Sequence, residues 1–83
     1  MEWNELKKSF TSLDDTDIAV TKVVMAIVER RKELGYSQRD LAKIVEMKQS
    51  AIARIESLAV VPKLDTVYRL CEALDLKIEL NKK

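Results

Sequence analysis

Gly35 and Pro62 are the sole glycine and the sole proline in 83 residues, and this scarcity constrains the fold more than any other feature of the chain. Each is a strong interrupter: glycine closes a helix at low steric cost, and proline cannot continue one. Such sparing use suits an all-helical fold with tight turns. Between the acidic cluster Asp14, Asp15, Asp17 and Gly35, the apolar residues Ile18, Val20, Val23, Val24, Met25, Ile27, Val28 and Leu34 are dense. The helix formers Glu29, Arg30, Arg31, Lys32 and Glu33 surround the end of that run. The pattern predicts one helix over 16–34, with acids favouring its N-terminus and Gly35 as its C-cap. Its apolar surface is wider than a single core stripe needs, so part of it is expected to face a partner.

Downstream, Ser37 is positioned as an N-cap with Asp40 in the acidic place of a capping box. A helix over 38–45 would then turn Leu41, Ala42 and Val45 inward, and one over 48–56 would bury Ile52 and Ile55. Pro62 breaks the chain, and a further helix over 65–74 would bury Val67, Leu70, Cys71 and Leu74. At the front, Trp3, Leu6 and Phe10 have the spacing of a short helix. The tail Leu76-Lys77-Ile78-Glu79-Leu80 alternates apolar and polar, which is a strand signal. A lone strand cannot satisfy its own ladder, so its expected partner is the same segment of a second copy. Met25, Met47 and Tyr36 are expected in or beside the core. The layout is a front extension over 1–15, a helical domain over 16–75 and a strand and tail over 76–83.

Composition removes several function classes. With one cysteine, Cys71, and no histidine, the chain cannot build an internal disulfide, a conventional metal site or a histidine acid–base catalyst. It shows no nucleophile–base pair, no carboxylate dyad in a chemical setting and no phosphate-binding glycine loop. An enzyme, a cofactor and a small-molecule ligand are therefore not expected. No apolar run is long enough for a membrane span, and the start lacks the pattern of a signal peptide, so a cytoplasmic setting is expected. Net charge is +1, but its distribution is uneven. Residues 1–29 hold three basic and six acidic side chains, whereas residues 30–63 hold eight basic and four acidic ones. A basic centre behind an acidic front is compatible with DNA binding through one face.

The segment over 30–70 carries the decisive pattern. Arg31, Gly35, Ser37-Gln38, Leu41-Ala42, Gln49-Ser50, Ile52, Arg54, Ile55-Glu56, Pro62 and Leu64 together resemble the helix-turn-helix family of the lambda repressor and the Xre regulators. Within that family the chain looks most like the short HigA- and HipB-type antitoxins of toxin–antitoxin operons. The resemblance implies an all-α, five-helix lambda repressor-like domain, to which the alternating tail would add a strand pairing across a homodimer. It also implies a repressor that binds a palindromic operator and neutralises a toxin of the mRNA endonuclease or kinase type. Gln49 and Ser50 at the entering end of the second helix, and Arg54 one turn beyond, are the expected base contacts; glutamine suits adenine and arginine suits guanine. Gln38 at the start of the preceding helix is expected at a phosphate, with Arg39, Lys43, Lys48 and Lys63 as further phosphate contacts. Family resemblance makes Arg31 and Glu56 a buried ion pair that fixes the recognition helix.

Three positions depart from the family pattern. Glu46 stands where the turn usually has glycine, so it must adopt a left-handed backbone or the turn must differ. Ser57 takes the usual glycine place after the recognition helix, and Lys48 replaces the usual Ser or Thr cap. Trp3, Leu6, Phe10 and Ile18 are the expected surface for a toxin. Two other readings compete: a stand-alone Xre regulator, such as a phage or restriction-modification controller, and a helical adaptor that does not bind DNA.

Overall fold

The computed structural model describes residues 15–80 and Lys82. Its regular structure consists of α1 (Asp15–Glu33), α2 (Gln38–Val45), α3 (Gln49–Glu56) and α4 (Leu64–Ala73). Helix α1 begins on Asp15 and Asp17 and ends on Arg30, Arg31 and Lys32, so its charges oppose the helix dipole at both ends. It buries Val24, Ile27 and Arg31, three- and four-residue steps that place them on one side. Helix α2 packs against α3 and α4, and α1 packs against α3. Leu41, Ile52, Leu70 and Leu74 lie with Val24 and Ile27 at the centre of the core.

All four helices close in the same way. A residue one or two positions past each end takes a left-handed φ, and the next N–H reaches back to the carbonyl five residues earlier. After α1 this residue is Gly35 (φ 78°), and Tyr36 N–H donates to the Arg31 carbonyl at 3.0 Å. After α3 and α4 the positions are Leu58 (φ 64°) and Asp75 (φ 56°), with Ala59 donating to Arg54 and Leu76 to Cys71. After α2 it is Glu46, at φ 57°, immediately beyond Val45, with Met47 donating to Ala42 at 2.9 Å. These are Schellman closures, which satisfy carbonyls that the helix leaves open. A side chain in this backbone region costs roughly 1–2 kcal/mol relative to glycine. At Gly35 an added Cβ would meet nothing within 4 Å, so the backbone angle and not space is what asks for glycine there.

Several expectations are corrected. The described residues contain four helices where five were expected, and no β-strand. Residues 76–80 keep their alternating sequence but have no ladder. Leu76 is spent on closing α4 and packs partly against the core, while Ile78 and Leu80 remain exposed. Alternation marks which side of an extended segment is apolar, but a strand exists only where a neighbour supplies the hydrogen bonds. The expected cross-dimer strand is therefore withdrawn. The short helix through Trp3, Leu6 and Phe10 falls outside the described residues. Ser57 is not the left-handed residue after α3: its φ is −85°, and Leu58 makes the turn one position later. Met25 is 55% exposed and not in the core, because it lies off the side of α1 that carries Val24, Ile27 and Arg31. Val67 is half-buried, whereas Leu70, Cys71 and Leu74 are buried.

Candidate nucleic-acid interface

The candidate site is α3, and the question is how an eight-residue helix is held firmly enough to present side chains outward. Its inner side is apolar: Ile52 and Ile55 are 1% and 4% exposed. Its last residue is held by ions. Arg31 of α1 donates from Nε to Glu56 Oε2 at 2.7 Å and from Nη2 to Glu56 Oε1 at 2.9 Å. The third guanidinium nitrogen, Nη1, donates to the Tyr36 carbonyl at 2.8 Å. Both side chains are almost enclosed, at 10% and 7% exposure. This two-pronged pairing fixes direction as well as distance, because a planar fork meets a planar carboxylate in one orientation. Gln38 adds a further donor, Nε2, to Glu56 Oε1 at 3.0 Å. One carboxylate thus joins α1, α2 and α3.

The support helix α2 is fixed at its start. Asp40 N–H donates to Ser37 Oγ at 3.0 Å, and Ser37 N–H donates to Asp40 Oδ2 at 2.9 Å. Backbone and side-chain hydrogen bonding with Ser37 hold the Asp40 carboxyl below its ordinary range, with Lys43 and Arg39 assisting. Helix α3 has no such cap: Lys48 precedes it in extended backbone and makes no side-chain capping bond. The positive end of α3 is therefore left open beside a lysine, which suits an anion.

The outward residues follow. Gln49, Ser50 and Arg54 are all exposed on α3, as are Arg39 and Lys43 on α2, Lys48 in the turn and Lys63 before α4. Arg39 and Lys43 are one helical turn apart, so they share a side of α2. Arg54 and Lys63 line one shallow groove beside α3, together with Met47, Ala51, Val60 and Thr66. Gln38 is half-buried, with its amide nitrogen engaged on Glu56. Ile18 is half-buried in the first turn of α1; Trp3, Leu6 and Phe10 are outside the described residues.

Two positioning contacts escaped the sequence reading. Arg30 Nε donates to the Leu74 carbonyl at 3.0 Å, tying the end of α1 to the end of α4. A cation at a helix C-terminus is favourable, but a contact across 44 positions leaves no local pattern. The second is the Gln38–Glu56 bond, which needs the α2–α3 crossing to bring its partners together. Cys71 is buried and free, and burial pushes its thiol up, so it remains a neutral core group. Among the described residues, no helix is long and apolar enough to cross a membrane.

A family model described as helix-turn-helix matches residues 27–81. The chain is also 30% identical over 74 residues to a protein of Haemophilus influenzae named an uncharacterized HTH-type transcriptional regulator. That match covers 87% of this chain and 76% of the relative. No solved structure matches the chain. Both likenesses are to helix-turn-helix proteins, and neither description names a toxin or an antitoxin.

Proposed function

The chain belongs to the helix-turn-helix family, and from that premise we propose that it is a stand-alone transcription regulator of the Xre type that reads an operator through α3. The fold is that of a regulator and not of a catalyst. The observation that carries the reading is the division of α3 into two sides. Ile52, Ile55 and Glu56 are locked inward, while Gln49, Ser50 and Arg54 stand free in solvent. A helix so held can enter the major groove, with Gln49, Ser50 and Arg54 at base edges. Arg39, Lys43, Lys48 and Lys63, with the backbone N–H of Gln38, whose amide nitrogen is engaged on Glu56, would meet the phosphates on either side. One such element covers little DNA, so two copies on a palindrome are the working form. Arg31 and Glu56 would touch no base; they hold the reading helix against its support.

The test is binding of the purified protein to the DNA upstream of its own gene. Salt-dependent binding that Arg54→Ala weakens by about 1–3 kcal/mol, more at one base pair than at others, supports the reading. Binding that Arg54→Ala, Gln49→Ala and salt leave unchanged would overturn it.

A second reading, an antitoxin with a toxin partner, is favoured by one observation. Val23, Leu64 and Val67 line an apolar groove between α1 and α4, and Leu64 is 78% exposed. A contiguous apolar surface of this kind suits an apolar partner. In this reading Ile18, Trp3, Leu6 and Phe10 remain the candidate toxin contacts from the sequence. Co-purification from the native host with the product of an adjacent gene supports this reading; recovery of DNA alone supports the stand-alone regulator.

A further inference from the structure

Glu46 occupies a position that stability does not explain. It closes α2 in left-handed backbone, at φ 57° and ψ 46°, where glycine would be easier. Its carboxylate stands at the negative end of α2, where a cation would be favoured. It is exposed, and no hydrogen bond or ion pair of its side chain is formed among the described residues, although Lys43 and Lys48 flank it. No side-chain contact among the described residues offsets these costs. The same turn leads directly into the open end of α3. Three Cα–Cα steps, through Met47 and Lys48, separate Glu46 from Gln49, a span of no more than about 11 Å. That is close to the screening length of about 10 Å at 0.1 M salt, so a phosphate lying against Lys48 and the α3 N-terminus would sense the charge.

We propose that Glu46 is a built-in attenuator of DNA affinity. Its charge subtracts from the attraction that Arg39, Lys43, Lys48 and Lys63 exert on the phosphate backbone, and it leaves base reading by Gln49, Ser50 and Arg54 untouched. This inference rests on the DNA-reading role of α3. Affinity that comes from phosphates is independent of sequence and falls steeply with salt, so the effect of Glu46 must have both properties. The left-handed residues Leu58 and Asp75 lack this role: Leu58 carries no charge, and Asp75 follows α4, away from the turn that enters α3.

The experiment compares wild type, Glu46→Gln and Glu46→Asp by fluorescence anisotropy on a random-sequence DNA duplex, at low and at high salt. Glutamine keeps the size and the backbone demand of glutamate and removes only the charge. Glu46→Gln is expected to bind about threefold to tenfold tighter at low salt, with the gap closing as salt rises. Glu46→Asp is expected to bind as wild type does, and Glu46→Gln to melt no lower than wild type, since it removes a charge that the C-terminal end of α2 disfavours. Equal or weaker binding by Glu46→Gln at low salt overturns the inference, as does a gap that persists undiminished at high salt. If none of the three binds at either salt, the DNA reading itself fails and the attenuator falls with it.

Discussion

The α2–α3 pair and the face shared by α1 and α4 come from the same short chain, yet they treat their surfaces in opposite ways. In α2–α3 the apolar residues Leu41, Ala42, Val45, Ile52 and Ile55 are buried, Ala51 and Ala53 are half-buried and Ile44 is exposed, and the polar residues needed for positioning are bonded to one another. On the α1–α4 face Val23, Leu64 and Ile78 are left exposed around apolar grooves. The first region is finished internally and offers polar side chains outward. The second has apolar surface that nothing among the described residues covers. The difference teaches that rigidity and partner type are set separately: a buried polar network aims α3 at a polar partner, and an uncovered apolar face suits an apolar neighbour.

The sharpest break of this contrast is Arg31→Ala. Removing the guanidinium leaves Glu56 enclosed without its counter-charge, and urea unfolding should show a loss of about 3–5 kcal/mol. The double variant Arg31→Met with Glu56→Leu should recover much of that loss, because no buried charge is then left alone. A small cost for Arg31→Ala alone would mean that the apolar side of α3, and not the ion pair, holds it.

A milder break is Ser37→Ala, which removes the cap of α2. Its expected cost is about 1 kcal/mol, read from the same unfolding curves. The other half of that box sharpens the picture by pH. Folding lowers the Asp40 carboxyl below its ordinary value of 3.8. Its contribution is therefore fully present above that value and is lost as pH falls through the lower folded value. Wild type should lose stability in that acid range by a component that Asp40→Asn lacks. The component is small, since Asp40 is exposed and solvent screens its partners.

The smallest effect belongs to the other region. Leu64→Ser should change stability by no more than about 0.5 kcal/mol, because the side chain is already in water. A large loss in thermal melts would show that the α1–α4 face is covered in solution, and the contrast between the regions would then dissolve.

Much of the domain was legible before the structure. Ser37 and Asp40 announced the start of α2, Gly35 the end of α1, and the spacing of Leu41, Val45, Ile52 and Ile55 the inner sides of α2 and α3. These signals are local, since a cap or a helical period is complete within a few residues. The outward residues Gln49, Ser50 and Arg54 were legible as the complement of that inner pattern. Met25 misled because an apolar residue in a dense run looks like core until the helix is oriented. The tail misled because alternation looks like a strand until one asks what would pair with it. Leu58 was missed because leucine has no preference for left-handed backbone, whereas Gly35 marked its closure by residue type and Glu46 by standing where the family turn has glycine.

What the order of residues settles here is short-range: where helices start, where they stop and which side of each is apolar. Those choices depend on contacts three or four residues apart, and the chain carries them anywhere it folds. The meeting of Arg31, Gln38 and Glu56, and the reach of Arg30 to the Leu74 carbonyl, join residues 18 to 44 positions apart. Such contacts exist only after the helices have crossed. A charge finds its partner across that distance because burial makes an unpaired one too costly, and packing alone selects which partner is within reach.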